Sequence, residues 1–192
     1  MIMQSKLGPG KLVIITGSSG LIGSAVIKRL AEGHRLVGFD SGAPPHPPPQ
    51  AECVNVDLGT EDGVRDGLKR VRYAYGRRID SVIHLAAYYD FSGEPSPKYE
   101  QITIRGTERL LRGLKEFDVG QFIFSSSMLV HAPCQPGERI NEDWPLDPKW
   151  DYPKSKVEAE KVVQAERGTI HTVILRIAGV YDDRCHSIPL AH

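Results

Sequence analysis

The chain has 192 residues, 40% of them hydrophobic, with Lys+Arg and Asp+Glu balanced at 24 each, which suits one sizeable core and is short for two domains. Without a basic excess, nucleic acid and anionic membrane surfaces are disfavoured as partners, and small molecules or proteins are favoured. The N-terminus lacks a signal-type apolar run, no apolar stretch is long enough to span a bilayer, and Cys53, Cys134 and Cys185 are odd in number and outside any metal-ligand spacing, so the expectation is a reduced, cytoplasmic protein without a metal.

Short apolar runs rich in β-branched residues alternate with longer amphipathic stretches, as in βαβ units around a parallel sheet. The first predicted strand, 11–16, runs into Gly17, Gly20 and Gly23 and then a helix over 20–31. Gly17 would allow the tight turn, Gly20 would let a pyrophosphate approach the backbone, and Gly23 would let the helix pack closely on the strand. The phosphates would rest on the free N–H groups at the helix start. Turns use glycine freely, so the triplet alone is a weak sign. The second strand, 35–39, ends at Asp40, at the offset where an acid meets adenosine ribose hydroxyls and repels a 2′-phosphate, which favours NAD over NADP.

The proline-rich stretch 42–50 suits neither helix nor ladder strand and reads as an exposed loop. A strand over 52–56 precedes a helix over 61–71, capped by Thr60 or Asp62. The strand 81–86 carries His84-Leu85-Ala86-Ala87, where small residues would let the chain pass close to a cofactor and His84 reads as a packed strand residue. Ser96 and Pro97 open a helix over 97–115 as cap and first-turn proline. A strand over 121–125, a polar loop over 131–151, a helix over 152–166 and a strand over 172–177 complete the series. Six strands and four helices in this order predict an α/β fold, a doubly wound Rossmann-type parallel sheet.

The most chemically loaded stretch is Tyr152-Pro153-Lys154-Ser155-Lys156. Tyr152 and Lys156, four apart, share one face of a helix. An ammonium near a phenol favours phenolate, lowering the phenol pKa toward a range where it exchanges a proton with a substrate alcohol or carbonyl. The alternative is a chance pair on a solvated helix face. Upstream, Ser125, Ser126 and Ser127 stand at the carboxyl end of a predicted parallel strand, where open α/β sheets bind ligands. A hydroxyl there can hydrogen-bond the substrate oxygen, or simply satisfy local backbone groups.

Taken together, Thr16-Gly-Ser-Ser-Gly-Leu-Ile-Gly23, Asp57-Leu58, His84-Leu-Ala-Ala87, Arg105-Gly106-Thr107, Ser125-Ser-Ser127, Tyr152-x-x-x-Lys156 and Val180-Tyr181 after Arg176 resemble the extended short-chain dehydrogenase/reductases, and within them the NAD-dependent epimerase/dehydratase family. The resemblance implies NAD as cofactor. Gly17, Ser19, Gly20, Leu21, Ile22 and Gly23 would form the pyrophosphate turn, Asp40 would bind ribose, Asp57 and Leu58 adenine, and Leu85, Ala86 and Ala87 would flank nicotinamide. Tyr152 would be the acid/base, Lys156 would bind ribose and lower the phenol pKa, and Ser127 would polarise the substrate, with Ser126 as the adjacent alternative. It also implies hydride transfer at a sugar carbon of a nucleotide sugar. The rivals are a 3-beta-hydroxysteroid dehydrogenase-like or carbonyl-reducing enzyme and a non-catalytic NAD sensor. The helices 97–115 and 152–166 would pair and contribute to a homodimer, with Leu110, Leu111 and Leu114 readable as either interface or core.

The chain departs from the family pattern at Thr103, where Asn is common before Gly-Thr, and at His131-Ala132, where Tyr-Gly commonly follows the serines. Family members also continue into a smaller substrate lobe, so the resemblance implies an NAD-binding Rossmann domain over 1–192. Its core would be 11–181, and 182–192 only the start of that lobe. The expectation is a chain that binds cofactor yet turns over substrate poorly on its own.

Overall fold

The computed structural model describes residues 10–42, 50–90 and 94–181. The prolines of 43–49, Cys185 and the expected start of a substrate lobe at 182–192 lie outside the described residues. The strands are β1 (Lys11–Thr16), β2 (His34–Asp40), β3 (Glu52–Asn55), β4 (Arg78–Ile79), β5 (Ser81–His84), β6 (Asp118–Val119), β7 (Gln121–Ser127) and β8 (His171–Ile177). The α-helices are α1 (Leu21–Leu30), α2 (Glu61–Tyr75), α3 (Arg105–Leu114) and α4 (Asp151–Glu166).

Six strands form one sheet in the order β3-β2-β1-β5-β7-β8, all neighbours parallel. The chain winds outward from β1 through β2 and β3, then crosses back to lay β5 on the other side of β1. That reversal opens a crevice at the carboxyl ends of β1 and β5, the place where doubly wound sheets hold ligands. The expected fold class is therefore the observed one.

β1 is buried on both faces, and this explains its unbroken apolar run. Leu12 and Ile14 join Phe39, Val82, Phe122 and Phe124 beneath α2, α3 and α4, which contribute Val64, Leu68, Leu110, Leu111, Leu114 and Val163. Val13, Ile15 and Leu36 meet Ile27 of α1 on the opposite face. Each such side chain contributes about 1.5–3 kcal/mol on burial, so both layers hold the sheet. Among the described residues the α1 side is open over β7 and β8, where Ile123 and Val173 are half-buried and Leu175 is 45% exposed.

Several boundaries differ from the sequence reading. β5 stops at His84 as the next amides turn to a side chain: Leu85 N is shared between Thr16 O at 3.3 Å and Thr16 Oγ1 at 3.2 Å, and Ala86 N donates to Thr16 Oγ1 at 3.1 Å. β7 runs two residues further than expected, pairing Ser126 with Arg176 and Ser127 with Ile177. Thr60 is the cap of α2, accepting from Gly63 N at 3.1 Å, and the helix continues to Gly76, whose φ of +84° ends it. The single helix expected over 97–115 opens as a π-helix, Tyr99–Ile104, before α3. The two-residue strands β4 and β6 form a separate pair and are too short to leave a periodicity. No helix among the described residues is long and apolar enough to cross a membrane.

Candidate active site

The turn after β1 distributes its three glycines among three physical jobs. Gly17 has φ +66°, and a Cβ there would lie 2.9 Å from Ala86 N, so the turn needs both its left-handed backbone and its close approach to the segment after β5. A Cβ at Gly23 would sit 2.2 Å from Gly17 O, so α1 packs onto the turn only without one. At Gly20 a Cβ would meet nothing nearer than Gly17 O at 3.4 Å: this glycine faces open space. Gly20 is also the N-cap of α1, with no side-chain cap bond and no acid in the first turn. The helix therefore starts with uncapped N–H groups beside the crevice, and Leu21 and Ile22 lie in its first turn. Asp40, at the end of β2, reaches the same turn and accepts from Ser19 N at 2.9 Å and Gly42 N at 3.3 Å.

Beneath the crevice runs a buried polar chain. Thr107 Oγ1 donates to Thr103 O at 2.6 Å, which leaves it to accept from His84 Nε2–H at 2.9 Å. His84 Nδ1 then accepts from the Thr16 hydroxyl at 2.7 Å, and this network fixes the tautomer. Burial, with Lys156 adding repulsion, pulls the His84 pKa down to about 3, so the ring is neutral. His84 is a fully buried connector between β1, β5 and α3. Thr103, the departure from the family's Asn, accepts from Tyr88 N at 3.0 Å and so pins the chain just past Ala86 and Ala87, both half-buried.

The helix α4 presents Tyr152, Lys156 and Glu160 on one face, as their spacing of four requires. Lys156 is 2% exposed, donates to Ser125 O at 2.8 Å and lies 5.8 Å from the centre of the Tyr152 ring. The lowering of the phenol pKa expected from Lys156 is not seen here, since Lys156 is not among the groups that shift Tyr152. Burial, reinforced by Tyr89, pushes Tyr152 up to about 12, and a hydrogen bond with Ser127 opposes the rise only in part. The ammonium itself loses solvation, which brings Lys156 down to about 7 against the counter-pull of Glu160. The physical reason is burial, which disfavours the charged form of both groups.

Tyr152 and Ser127 are brought together with Lys156 at the crevice mouth, and an aromatic wall adjoins them. Tyr89 meets Tyr152 edge to face with ring centres 4.6 Å apart, and Tyr88 meets Tyr99 in the same way at 4.9 Å. Sequence reasoning misses these tyrosines, although the pair Tyr88-Tyr89 directly after Ala86-Ala87 is an available sign. It also misses Glu160, one turn beyond Lys156. The neighbouring Ser126 donates its hydroxyl to Glu160, not toward the crevice.

Other expected site residues stand apart from this cluster. Asp57 is exposed and its carboxylate accepts from Gly59 N at 2.8 Å, whereas the Leu58 side chain is buried in the core under Gly106, where a Cβ would come within 3.0 Å of it. Leu58 can thus offer only backbone. The paired helices are observed, since Leu110, Leu111, Leu114, Ala159 and Val163 share one core. The three leucines, readable from sequence as interface or core, are core: each is fully buried in this chain. Cys53 and Cys134 are exposed free thiols, and no group of three potential metal ligands occurs among the described residues.

A doubly wound parallel sheet, a glycine turn feeding an uncapped helix start and a Ser/Tyr/Lys cluster across the crevice define a protein of the short-chain dehydrogenase/reductase type. The model of the NAD dependent epimerase/dehydratase family matches residues 13–187, and the chain belongs to that family. It is 29% identical over 183 residues to the 3 beta-hydroxysteroid dehydrogenase/Delta 5-->4-isomerase of Mycobacterium tuberculosis, covering 88% of this chain and 47% of the relative. Among solved structures it is similar to the UDP-glucose 4-epimerase of Thermus thermophilus in complex with NAD, with TM-score 0.71, 28% identity and coverage of 85% of this chain and 54% of that one. A short-chain dehydrogenase/reductase superfamily protein of Agrobacterium tumefaciens with bound NAD is likewise similar, with TM-score 0.70, 28% identity and coverage of 86% and 48%. The chain spans about half the length of the relatives it matches.

Proposed function

We propose that this chain carries the NAD-binding and acid/base half of an oxidoreductase-type enzyme acting on a hydroxyl-bearing carbon of a nucleotide sugar. The observation that carries the reading is the open approach at Gly20 beside uncapped α1 amides. That arrangement fits a pyrophosphate: a Cβ would stand where the phosphate must come close, and an acid in the first turn would repel it. Asp40, on the same turn, suits two ribose hydroxyls and disfavours a 2′-phosphate, which supports NAD over NADP. When bound, the nicotinamide would accept or return a hydride. Tyr152 would take the proton from the substrate hydroxyl at its phenolic oxygen and return it in the reverse direction, Ser127 would hold the substrate oxygen, and Lys156 would hold ribose. With the phenol raised to about 12, Tyr152 has to gain a new stabilising partner for its anion before it can act as a base near neutral pH. The 29% identity to the Mycobacterium enzyme supports a hydroxysteroid as the second reading.

Calorimetric titration with NAD and NADP, followed by turnover of UDP-sugars and hydroxysteroids by wild type and Tyr152→Phe, tests both halves of the reading. NAD is expected to bind at least tenfold more tightly than NADP. Tyr152→Phe is expected to keep NAD affinity within a few fold while cutting turnover by about 100-fold or more. Equal affinity for the two nucleotides removes Asp40 from its role, and undiminished turnover removes Tyr152.

A further inference from the structure

Glu160 is the acidic side chain at the centre of this half of the molecule, with a side chain only 10% exposed. Ser126 donates to its Oε1. Arg176 of β8, the register partner of Ser126, grips both oxygens, Nε to Oε1 at 3.1 Å and an Nη to Oε2 at 2.8 Å. The remaining Nη of Arg176 donates to Glu142 O at 3.0 Å and lies 3.4 Å from His131 Nε2. Since His131 Nδ1 stands 3.1 Å from Trp144 O, it carries the proton and leaves Nε2 free to accept from the guanidinium. The segment between is closed on itself by Trp144 Nε1 to Ala132 O at 3.0 Å and Ala132 N to Pro145 O at 2.8 Å. One carboxylate therefore ties α4, β7, β8 and the segment 131–146 into a single unit.

We propose that Glu160 is a positioning residue for the Ser127/Tyr152/Lys156 cluster, acting on the strand end through Ser126 and on the segment 131–146 through Arg176. The inference rests on the reading of that cluster as the active site, and it adds a residue that neither holds cofactor nor touches substrate. Ser126 lies between Ser125, whose carbonyl accepts from Lys156, and Ser127, which bonds Tyr152. Anchoring its side chain therefore fixes the backbone that presents both neighbours. The carboxylate also sits one helical turn from Lys156 and is the charge that favours its ammonium form. The other groups around that ammonium are the neutral His84 of β5, the neutral phenol of Tyr152, the Phe124 ring and Ser125 O, none of which carries a compensating charge. A bidentate carboxylate–guanidinium fork suits the role because it fixes orientation as well as distance.

Two variants of the protein test this. Glu160→Gln keeps an oxygen for Ser126 but removes the charge, and Arg176→Lys keeps the charge but loses the fork. The Lys156 side chain is followed by NMR titration, its signal identified by its loss in Lys156→Met, and backbone amides are followed by hydrogen exchange. Glu160→Gln is expected to lower the Lys156 titration midpoint by about one unit, which shows that the Glu160 charge reaches the ammonium and is not wholly neutralised by Arg176. Arg176→Lys is expected to speed exchange across 131–146 about tenfold while amides of β1 and β5 keep their protection. An unchanged Lys156 midpoint in a folded Glu160→Gln protein, or unchanged exchange of the segment in Arg176→Lys, overturns the proposal. If Glu160→Gln does not fold, the exchange result of Arg176→Lys decides alone. Neither readout involves a nucleotide, so absence of NAD binding would defeat the functional reading and leave these outcomes intact.

Discussion

His84 shows how far a single side chain can be read without its surroundings. Its position on an apolar strand marks it as packed, but nothing in the sequence reveals that Thr16 and Thr107, distant from each other along the chain, meet on its two ring nitrogens. Because both ring nitrogens are engaged while neutral, protonation would break the bond from Thr16 and place a charge in the core beside Lys156. The folded-state pKa of about 3 lies below the ordinary 6.5, so the stabilisation is fully present above pH 6.5 and is lost as pH falls from there toward 3. His84→Asn is expected to lower stability at pH 7 by about 1–3 kcal/mol through lost hydrogen bonds, and to flatten the dependence of the urea midpoint on pH between 6.5 and 4. A variant whose midpoint falls with acid as steeply as wild type would assign the acid sensitivity elsewhere. The Tyr152 and Lys156 pair is legible by spacing, yet its electrostatics is not: spacing places the ammonium near the phenol, whereas the protonation states depend on burial and on neighbours such as Tyr89 and Glu160.

At the scale of elements, the β1–turn–α1 unit is the most legible part of the chain, because each glycine answers a local steric demand that leaves a mark in sequence. The π-helical entry to α3 is not legible, since Ser96, Pro97 and the apolar spacing beyond them suit an ordinary α-helix equally well. The extension of β7 through Ser127 is also hidden, because serines at a strand end carry no apolar signal and are held there by pairing with β8. The glycine turn supplies a prediction that separates folding from ligand room. Gly20→Ala adds a methyl to open space, so its melting temperature is expected to stay close to wild type while NAD affinity falls about tenfold or more, an effect of blocking a backbone approach. Gly23→Ala drives a Cβ to 2.2 Å from a carbonyl oxygen and forces α1 off the turn, with an expected loss of about 1–3 kcal/mol. Differential scanning calorimetry beside nucleotide titration checks both. Gly20→Ala with undiminished affinity would mean that the nucleotide does not lie on this turn.

For the whole molecule, alternating strand and helix signals are sufficient to give the six-strand parallel sheet, because in such sheets each strand must be apolar on two faces and each crossover must be long. What those signals do not contain is which helix covers which face. Among the described residues three of the four α-helices pack on one side and α1 lies on the other, and this asymmetry bears on where two copies would meet. The leucines of α3 are spent in the core. Among the accessible apolar side chains, Ile123, Val173 and Leu175 lie together on the α1 side of β7 and β8, a contiguous strip because Ile123 and Val173 are register partners and Leu175 follows on the same face. Exposed strips of this kind promote association. Sedimentation velocity across a concentration series at micromolar protein is expected to show self-association of wild type that Leu175→Lys reduces, with its circular dichroism unchanged because the new side chain reaches solvent. Leu110→Lys, by contrast, places a charge in the core and is expected to unfold the chain. If Leu175→Lys associates as strongly as wild type, the open face of β7 and β8 is not the contact, and the association has to be sought on the helical side.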